Sequence, residues 1–246
     1  ANILQIRPGQ GFGRGGGGPQ PPNFKEADLA AIQGQIAGVR AAAPVAQTSV
    51  TTVYNASNWK TTLTGTTIDY FKVQQWNVSS GRMWTTAEQT AGKAVCLIGE
   101  TVQKNLYPSA QPVGSQLRVG NVSCEVIGVL ANKGQGGFQD QNDTVMAPIR
   151  MVQRRFTGSR DISAITVAVD DAYDTQAIQA SITQLLRERR GIEQGEDDNF
   201  NIFDTAQISQ TLTGTTTILT TVMAAVAAVS LVVGGIGIMN IMLVSV

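Results

Sequence analysis

Histidine is missing from all 246 residues. Its absence removes the usual general base at neutral pH, the Ser/His and Cys/His nucleophile pairs and nearly all zinc sites. Net charge is missing too. The 18 basic residues balance 18 acidic ones, so no long-range field draws the chain to nucleic acid or to an anionic membrane surface. No G-x-x-x-x-G-K-[ST] occurs, so no ATP phosphate cradle is expected. No paired carboxylates stand at a spacing that suits general acid and base work, and the chain is expected not to be an enzyme. It opens at Ala1 without a methionine, a basic stretch or a signal-peptide core, so we expect a piece of a longer protein.

Charge is absent in a second, local sense. Asp204 is the last charged residue, and Thr205 to Val246 holds no Lys, Arg, Asp or Glu. Ile218 to Val246 is built almost wholly from Ala, Val, Leu, Ile, Met, Gly and Thr, more than the roughly 20 apolar residues that cross about 30 Å of hydrocarbon. Residues 218–246 are therefore expected to be a transmembrane helix. Gly234, Gly235 and Gly237 either let a neighbouring helix approach closely or are merely tolerated in lipid, and Asn240 should face another helix or a cavity. The Thr-rich residues 205–217 read as a polar stalk or as a loop.

With 42% hydrophobic and 15% charged residues, the rest has the composition of a folded globule. Ile3, Leu4 and Ile6 make a short strand, and Pro8 to Pro22 is rich in Gly and Pro. A helix is expected next, with Asn23 as its cap and Phe24, Leu29, Ile32, Ile36 and Val39 at near-helical spacing up to Pro44; Val45 to Tyr54 returns as a strand. The order recurs with a strand over Ile162 to Val169, a helix capped by Asp174 and a strand over Phe200 to Phe203. Between the two units lie strands at Ala94 to Ile98, Gln116 to Val119, Cys124 to Leu130 and Thr144 to Ala147, with one helix at Glu100 to Leu106.

The expected fold class is α+β. A discontinuous subdomain of two strand-helix-strand units (residues 1–55 and 160–204) is interrupted by a β-rich insertion (56–159) and followed by the stalk (205–217) and the membrane helix (218–246).

The only two cysteines, Cys96 and Cys124, each fall in a predicted strand of the insertion. Either they pair, which requires an oxidising compartment, or they are buried thiols. Gly11, Gly13 and Gly16 satisfy G-x-G-x-x-G, but Pro19, Pro21 and Pro22 follow, so no dinucleotide-site helix opens there. Asp140, Asp143, Glu196, Asp197 and Asp198 form acidic clusters that either hold a hard cation or are solvated loop charge. Arg187, Arg189 and Arg190 either complement a helix end or bind an anion. The N-x-[ST] triplets at Asn55, Asn77, Asn121 and Asn142 arise by chance in a chain so rich in Ser and Thr. Phe138, on a pliant loop with Gln135, Gly136 and Gly137, either touches a partner or cargo or tucks back into the domain.

Leu231 to Val246, LVVGGIGIMNIMLVSV, resembles the start of a permease module found in the macrolide-exporter (MacB) family of ABC transporters, and more loosely in lipoprotein-releasing and FtsX-like permeases. The segments AVCLIGETVQKNLYP and PVGSQLRVGNVSCEVIGVLANKGQGG, and Ser163 to Arg190, are similar to that family's periplasmic domain. The resemblance implies a porter-like α+β domain between the first and second membrane helices, set in the bacterial inner membrane with residues 1 to about 217 in the periplasm. It implies a homodimer that works with a periplasmic adaptor (a membrane fusion protein) and an outer-membrane channel. Cofactors are none in this chain: ATP belongs to an ABC ATPase domain, fused or separate. The implied activity is mechanotransmission, in which ATP binding and hydrolysis drive macrolide, peptide or lipopeptide cargo out of the periplasm. The looser relatives imply either a scaffold acting on a periplasmic hydrolase or lipoprotein release.

Overall fold

The computed structural model describes residues 2–9, 19–134 and 139–245, with the backbone alone over 207–216. In chain order the elements are β1 (Asn2–Pro8), α1 (Glu26–Gln35), β2 (Val39–Tyr54), β3 (Ser57–Thr66), α2 (Ile68–Gln74), β4 (Val78–Gly81), α3 (Thr86–Ala91), β5 (Val95–Ile98) and α4 (Glu100–Leu106). Then come β6 (Gln116–Val119), β7 (Val122–Leu130), β8 (Thr144–Pro148), α5 (Ile149–Val152), which runs on into a π-helical turn (Gln153–Thr157), β9 (Ala164–Val169), α6 (Thr175–Arg189), β10 (Phe200–Asp204) and α7 (Thr205–Val244). Residues 1–205 form one compact unit and residues 206–246 another.

The two strand-helix-strand units interleave. Strands β10, β1, β9 and the first half of β2 lie side by side in that order, each antiparallel to its neighbour, which is the split β-α-β arrangement of ferredoxin-like folds. Alternation along β1 turns Leu4 and Ile6 inward, and α1 with the residue after it and α6 bring Ile32, Ile36, Ile178, Ile182 and Leu186 against them with Val167 and Phe200. This is one core. Because β10 runs antiparallel beside β1, with Leu4 opposite Asp204, the chain enters and leaves the unit at neighbouring points.

The insertion is a small barrel. From Ala46 onward β2 pairs with β3, and the ladder continues through β8, β5 and β7; β6 pairs with both β7 and β2, so six strands close on themselves. All six feed one cluster, which includes Val50, Leu63, Cys96, Ile98, Leu117, Cys124, Val126 and Val145, with Val102 and Leu106 of α4 against it. Closure removes the unpaired edges a short sheet would otherwise present. The sequence VCLI of β5 alternates strictly. Cys96 and Ile98 face this inner cluster, while Val95 and Leu97 join Phe71, Trp76, Trp84 and Ile127 in a second cluster outside, which explains why the strand reads as an unbroken apolar run.

Several expectations change. Pro44 ends no helix: α1 stops at Gln35, Gly38 takes φ +91, and β2 begins at Val39 with Pro44 opposite Ile165. The cap of α1 is Lys25 rather than Asn23, its N–H donating to Asp28 Oδ2 at 2.9 Å, and Phe24 bridges to Ile162. The pairing partner of β2 changes between Val45 and Ala46, well before residue 56. Residues 205–217 carry no break after β10 and form the opening turns of α7. The G-x-G-x-x-G glycines Gly11, Gly13 and Gly16 lie outside the described residues.

From Thr217 to Val244 the 28-residue apolar part of α7 is exposed on every face. At 1.5 Å per residue it reaches about 42 Å, enough to cross a bilayer. Thr221 Oγ1 and Ser230 Oγ donate to the carbonyls of Thr217 and Val226 at 2.9 and 3.0 Å, so these hydroxyls find their partners within the helix.

Candidate functional site

A groove of about 610 Å³ runs along α4 and the end of β7, lined by Glu100, Gln103, Lys104, Tyr107, Leu130 and Asn132 among others. Apolar floor and charged rim alternate: Tyr107 is buried and Glu100 pairs with Lys104 at 2.7 Å. The Lys104 ammonium, then Asn132, hold the Glu100 carboxyl below the usual carboxylate range. Burial pushes the Tyr107 phenol up, against its hydrogen bond with Ser115 at 2.8 Å.

At one end of this groove the chain passes through Asn132, Lys133 and Gly134. The expected partner residues Gln135, Gly136, Gly137 and Phe138 follow, and they lie outside the described residues. Both flanks of that segment converge on Asn142, which is buried. Its Oδ1 accepts from the Lys133 N–H at 2.9 Å, its Nδ2 donates to Asn132 Oδ1 at 3.4 Å, and its own N–H donates to Asp140 Oδ1 at 2.9 Å. Its carbonyl accepts from the Thr101 N–H in the first turn of α4 at 3.3 Å. Thr101 also donates its hydroxyl to Asp140, which holds that carboxyl below its ordinary range, Asn142 adding to the effect. Asp143 accepts from Trp59 Nε1 at 2.9 Å and Thr61 Oγ1 at 2.7 Å. Asp140 thus ties the segment after residue 138 to the first turn of α4, and Asp143 ties it to β3. Among the described residues no group of three or more Cys, Asp or Glu side chains gathers to hold a metal ion.

Lys133, half-buried, follows the groove residue Asn132 in the chain. Its Nζ donates to Gln74 Oε1 at 2.6 Å and lies 4.9 Å from the centre of the Trp76 ring; the indole in turn donates to the Ala131 carbonyl at 2.8 Å. Burial lowers its pKa to about 8, since desolvation penalises an ammonium without a carboxylate beside it.

Cys96 and Cys124 are joined in a disulfide across neighbouring strands β5 and β7, with Cα atoms 6.0 Å apart and both side chains fully buried. The second acidic cluster and the basic end of α6 belong to one set of ties: Arg187 pairs with Asp198 and donates to the Glu193 carbonyl at 2.7 Å, and Arg189 reaches Asp28 of α1 at 2.7 Å. Arg190 donates to Asn199 Oδ1 at 2.7 Å and to the Pro22 carbonyl at 2.6 Å. On α7, a β-carbon placed on Gly234, Gly235 or Gly237 meets nothing within 4 Å, and Asn240 is exposed.

The sequence reading missed Asn142, Trp76 and Lys133. Asn142 was visible only as part of a chance triplet, because its role depends on bringing two flanks of a loop together.

Residues 1–185 match the family model described as the MacB-like periplasmic core domain. The chain is 38% identical over 248 residues to a macrolide export ATP-binding/permease protein MacB of Rhodospirillum rubrum, covering 100% of this chain and 37% of the relative. A protein of the same name from Bdellovibrio bacteriovorus is 35% identical over 220 residues, covering 89% and 34%. The chain thus spans about a third of the length of these curated relatives. In fold it is similar to the crystal structure of the periplasmic region of MacB from Actinobacillus actinomycetemcomitans, with TM-score 0.72 and 24% identity over 86% of this chain and 92% of that one. It is also similar to the extracellular domain of the noncanonic ABC-type transporter YknZ from Gram-positive bacteria, with TM-score 0.66 and 22% identity over 82% and 100%.

Proposed function

The chain belongs to the MacB-like periplasmic core domain family, and from that premise we propose that it is the periplasmic part of an ABC-type efflux permease. ATP binding and hydrolysis on a nucleotide-binding domain, fused or separate, drive its movement, and the movement expels periplasmic cargo of the macrolide, peptide or lipopeptide kind. The full protein is a homodimer in the bacterial inner membrane, joined to a periplasmic adaptor and an outer-membrane channel. Residues up to about 217 stand in the periplasm. The domain itself is non-catalytic and uses no cofactor.

The observation that carries this reading is the pairing of Leu4 with Asp204, together with the start of α7 at Thr205. A domain whose entry and exit strands are hydrogen-bonded neighbours suits a place between two membrane helices, and a helix that follows β10 without a linker suits the transmission of movement. The groove beside α4 and the segment Gln135, Gly136, Gly137 and Phe138 supply the surface for adaptor or cargo. Gly234, Gly235 and Gly237 pack a neighbouring membrane helix, toward which Asn240 turns.

The test is photo-crosslinking in membranes that carry the full-length protein, with a photoreactive residue at Gln103 or Phe138 and mass spectrometry of what is captured. An adaptor or small cargo is the expected product. Capture of only a peptidoglycan hydrolase or only lipoproteins overturns the efflux reading.

A further inference from the structure

Six cations of the described residues, Lys25, Arg82, Lys93, Lys104, Arg187 and Arg189, form ion pairs with carboxylates. The run from Arg150 to Arg160 holds more cations than any other eleven consecutive residues of the sequence. Arg150, Arg154, Arg155 and Arg160 fall within eleven residues of sequence, and among the described residues none is paired with a carboxylate.

Three of the four converge. Arg150, Arg154 and Arg160 line one pocket of about 220 Å³ with Gln153, Gly158, Ser159 and Glu26. The backbone that presents them is specialised. The π-helical turn Gln153–Thr157 is closed by Gly158 at φ +65, and π turns of this kind recur at functional sites. Gln153 is itself 95% buried and donates its Nε2 to the carbonyls of Arg160 and Asp161 at 3.1 and 3.5 Å, which pins the returning chain against the turn. Arg154 is fixed by a bond from Nη1 to the Ala91 carbonyl at 3.0 Å. The carboxylate of Asp161 is taken by Lys25 at 2.6 Å, and among the described residues that line the pocket Glu26 is the one acid beside three arginines.

We propose that this pocket binds a phosphate monoester group, carried by a soluble phosphate compound or by a lipid headgroup. Three guanidiniums against one carboxylate leave two positive charges, matching a phosphate dianion, and the planar fork of arginine fits phosphate oxygens in pairs. Glu26 opens α1 of the ferredoxin-like unit while the arginines belong to the segment that leaves the barrel, so the ligand joins the two halves of the domain.

The test is calorimetric titration of the full chain in an uncharged detergent at low salt, first with inorganic phosphate and then with dihexanoyl phosphatidic acid. Saturable binding is expected, weakened about tenfold or more in Arg154→Gln and Arg160→Gln, as the loss of a charge-assisted hydrogen bond implies. Arg155→Gln, whose residue lies outside the pocket, should bind as the parent does. Arg150→Gln serves as a second pocket variant, since its side chain makes no hydrogen bond among the described residues; an unchanged melting temperature without ligand shows that each variant is folded. Tighter binding of the phosphatidic acid than of phosphate assigns a lipid source, and equal binding assigns a soluble one. The proposal fails if the parent does not bind phosphate, if Arg155→Gln weakens binding as much as Arg154→Gln, or if only an acidic peptide such as polyglutamate binds.

Discussion

A β-carbon on Gly99 would stand 2.0 Å from the carbonyl oxygen of Asn142. That contact packs the turn between β5 and α4 against the residue holding both flanks of the 135–138 segment. Gly99→Ala therefore has to push backbone against backbone, with an expected loss of about 2 kcal/mol or more. Gly34→Ala is the control: it lies within α1 with open space around it, and alanine there should stabilise by up to about 1 kcal/mol. Thermal melts of the two variants should move in opposite directions.

Reduction of the Cys96–Cys124 bond should be costly. The bridge closes a loop with sequence separation 28, worth about 3 to 4 kcal/mol in the chain-entropy model. The paired Cys96→Ala, Cys124→Ala variant should melt well below the parent and be indifferent to reductant. Peptide mapping without reduction should recover the two cysteines linked; if both are alkylated as free thiols in protein isolated from membranes, the oxidised form is not the working one.

Lys133 should leave a mark on the alkaline side. Its folded pKa is lowered from 10.5 to about 8 by burial, so between those values the unfolded chain holds a proton that the folded chain has released. Stability from this group therefore rises with pH across the window from about 8 to 10.5 and is lowest below it. Lys133→Met should flatten that limb and raise stability at pH 7, as denaturant titrations at a series of pH values would show.

Asp28 is 5% exposed, caps α1 through the Lys25 N–H and receives Arg189 of α6. Asp28→Ala removes a cap and leaves a partly buried guanidinium unanswered, and about 2 kcal/mol should be lost. Arg189→Met combined with it should return part of that loss, because the orphaned charge goes too. A double-mutant cycle read by thermal denaturation measures the coupling.

The sequence disclosed elements whose signals were local. Glu100–Leu106 and Gln116–Val119 have the bounds their patterns imply, and α6 starts after its Asp174 cap, whose Oδ1 accepts from the Gln176 N–H. It did not disclose β3, because Ser57–Thr66 is mostly polar and its threonines face partners distant in sequence, such as Thr64 beside Thr144 at 3.3 Å. Nor did it disclose α2, which is no shorter than α4, or the six-residue α3. Pro44 misled because proline is a reliable stop for helices, whereas here a strand passes through it and its carbonyl accepts from Thr66 Oγ1 at 2.8 Å. The pocket of Arg150, Arg154 and Arg160 left a trace in sequence as four arginines in eleven residues; the buried Gln153 that shapes it left none.

The strand β2 runs for 16 residues and serves the ferredoxin-like sheet with its first half and the barrel with its second. The two halves are consequently not modules that can be cut apart or exchanged between relatives at residue 56. A chimera joined there would pair Ala46 to Tyr54 of one protein with β3 and β6 of the other, so the barrel closes only where those residues match. Since residues 1–205 form one compact unit through which this strand runs, the two halves should melt in a single transition.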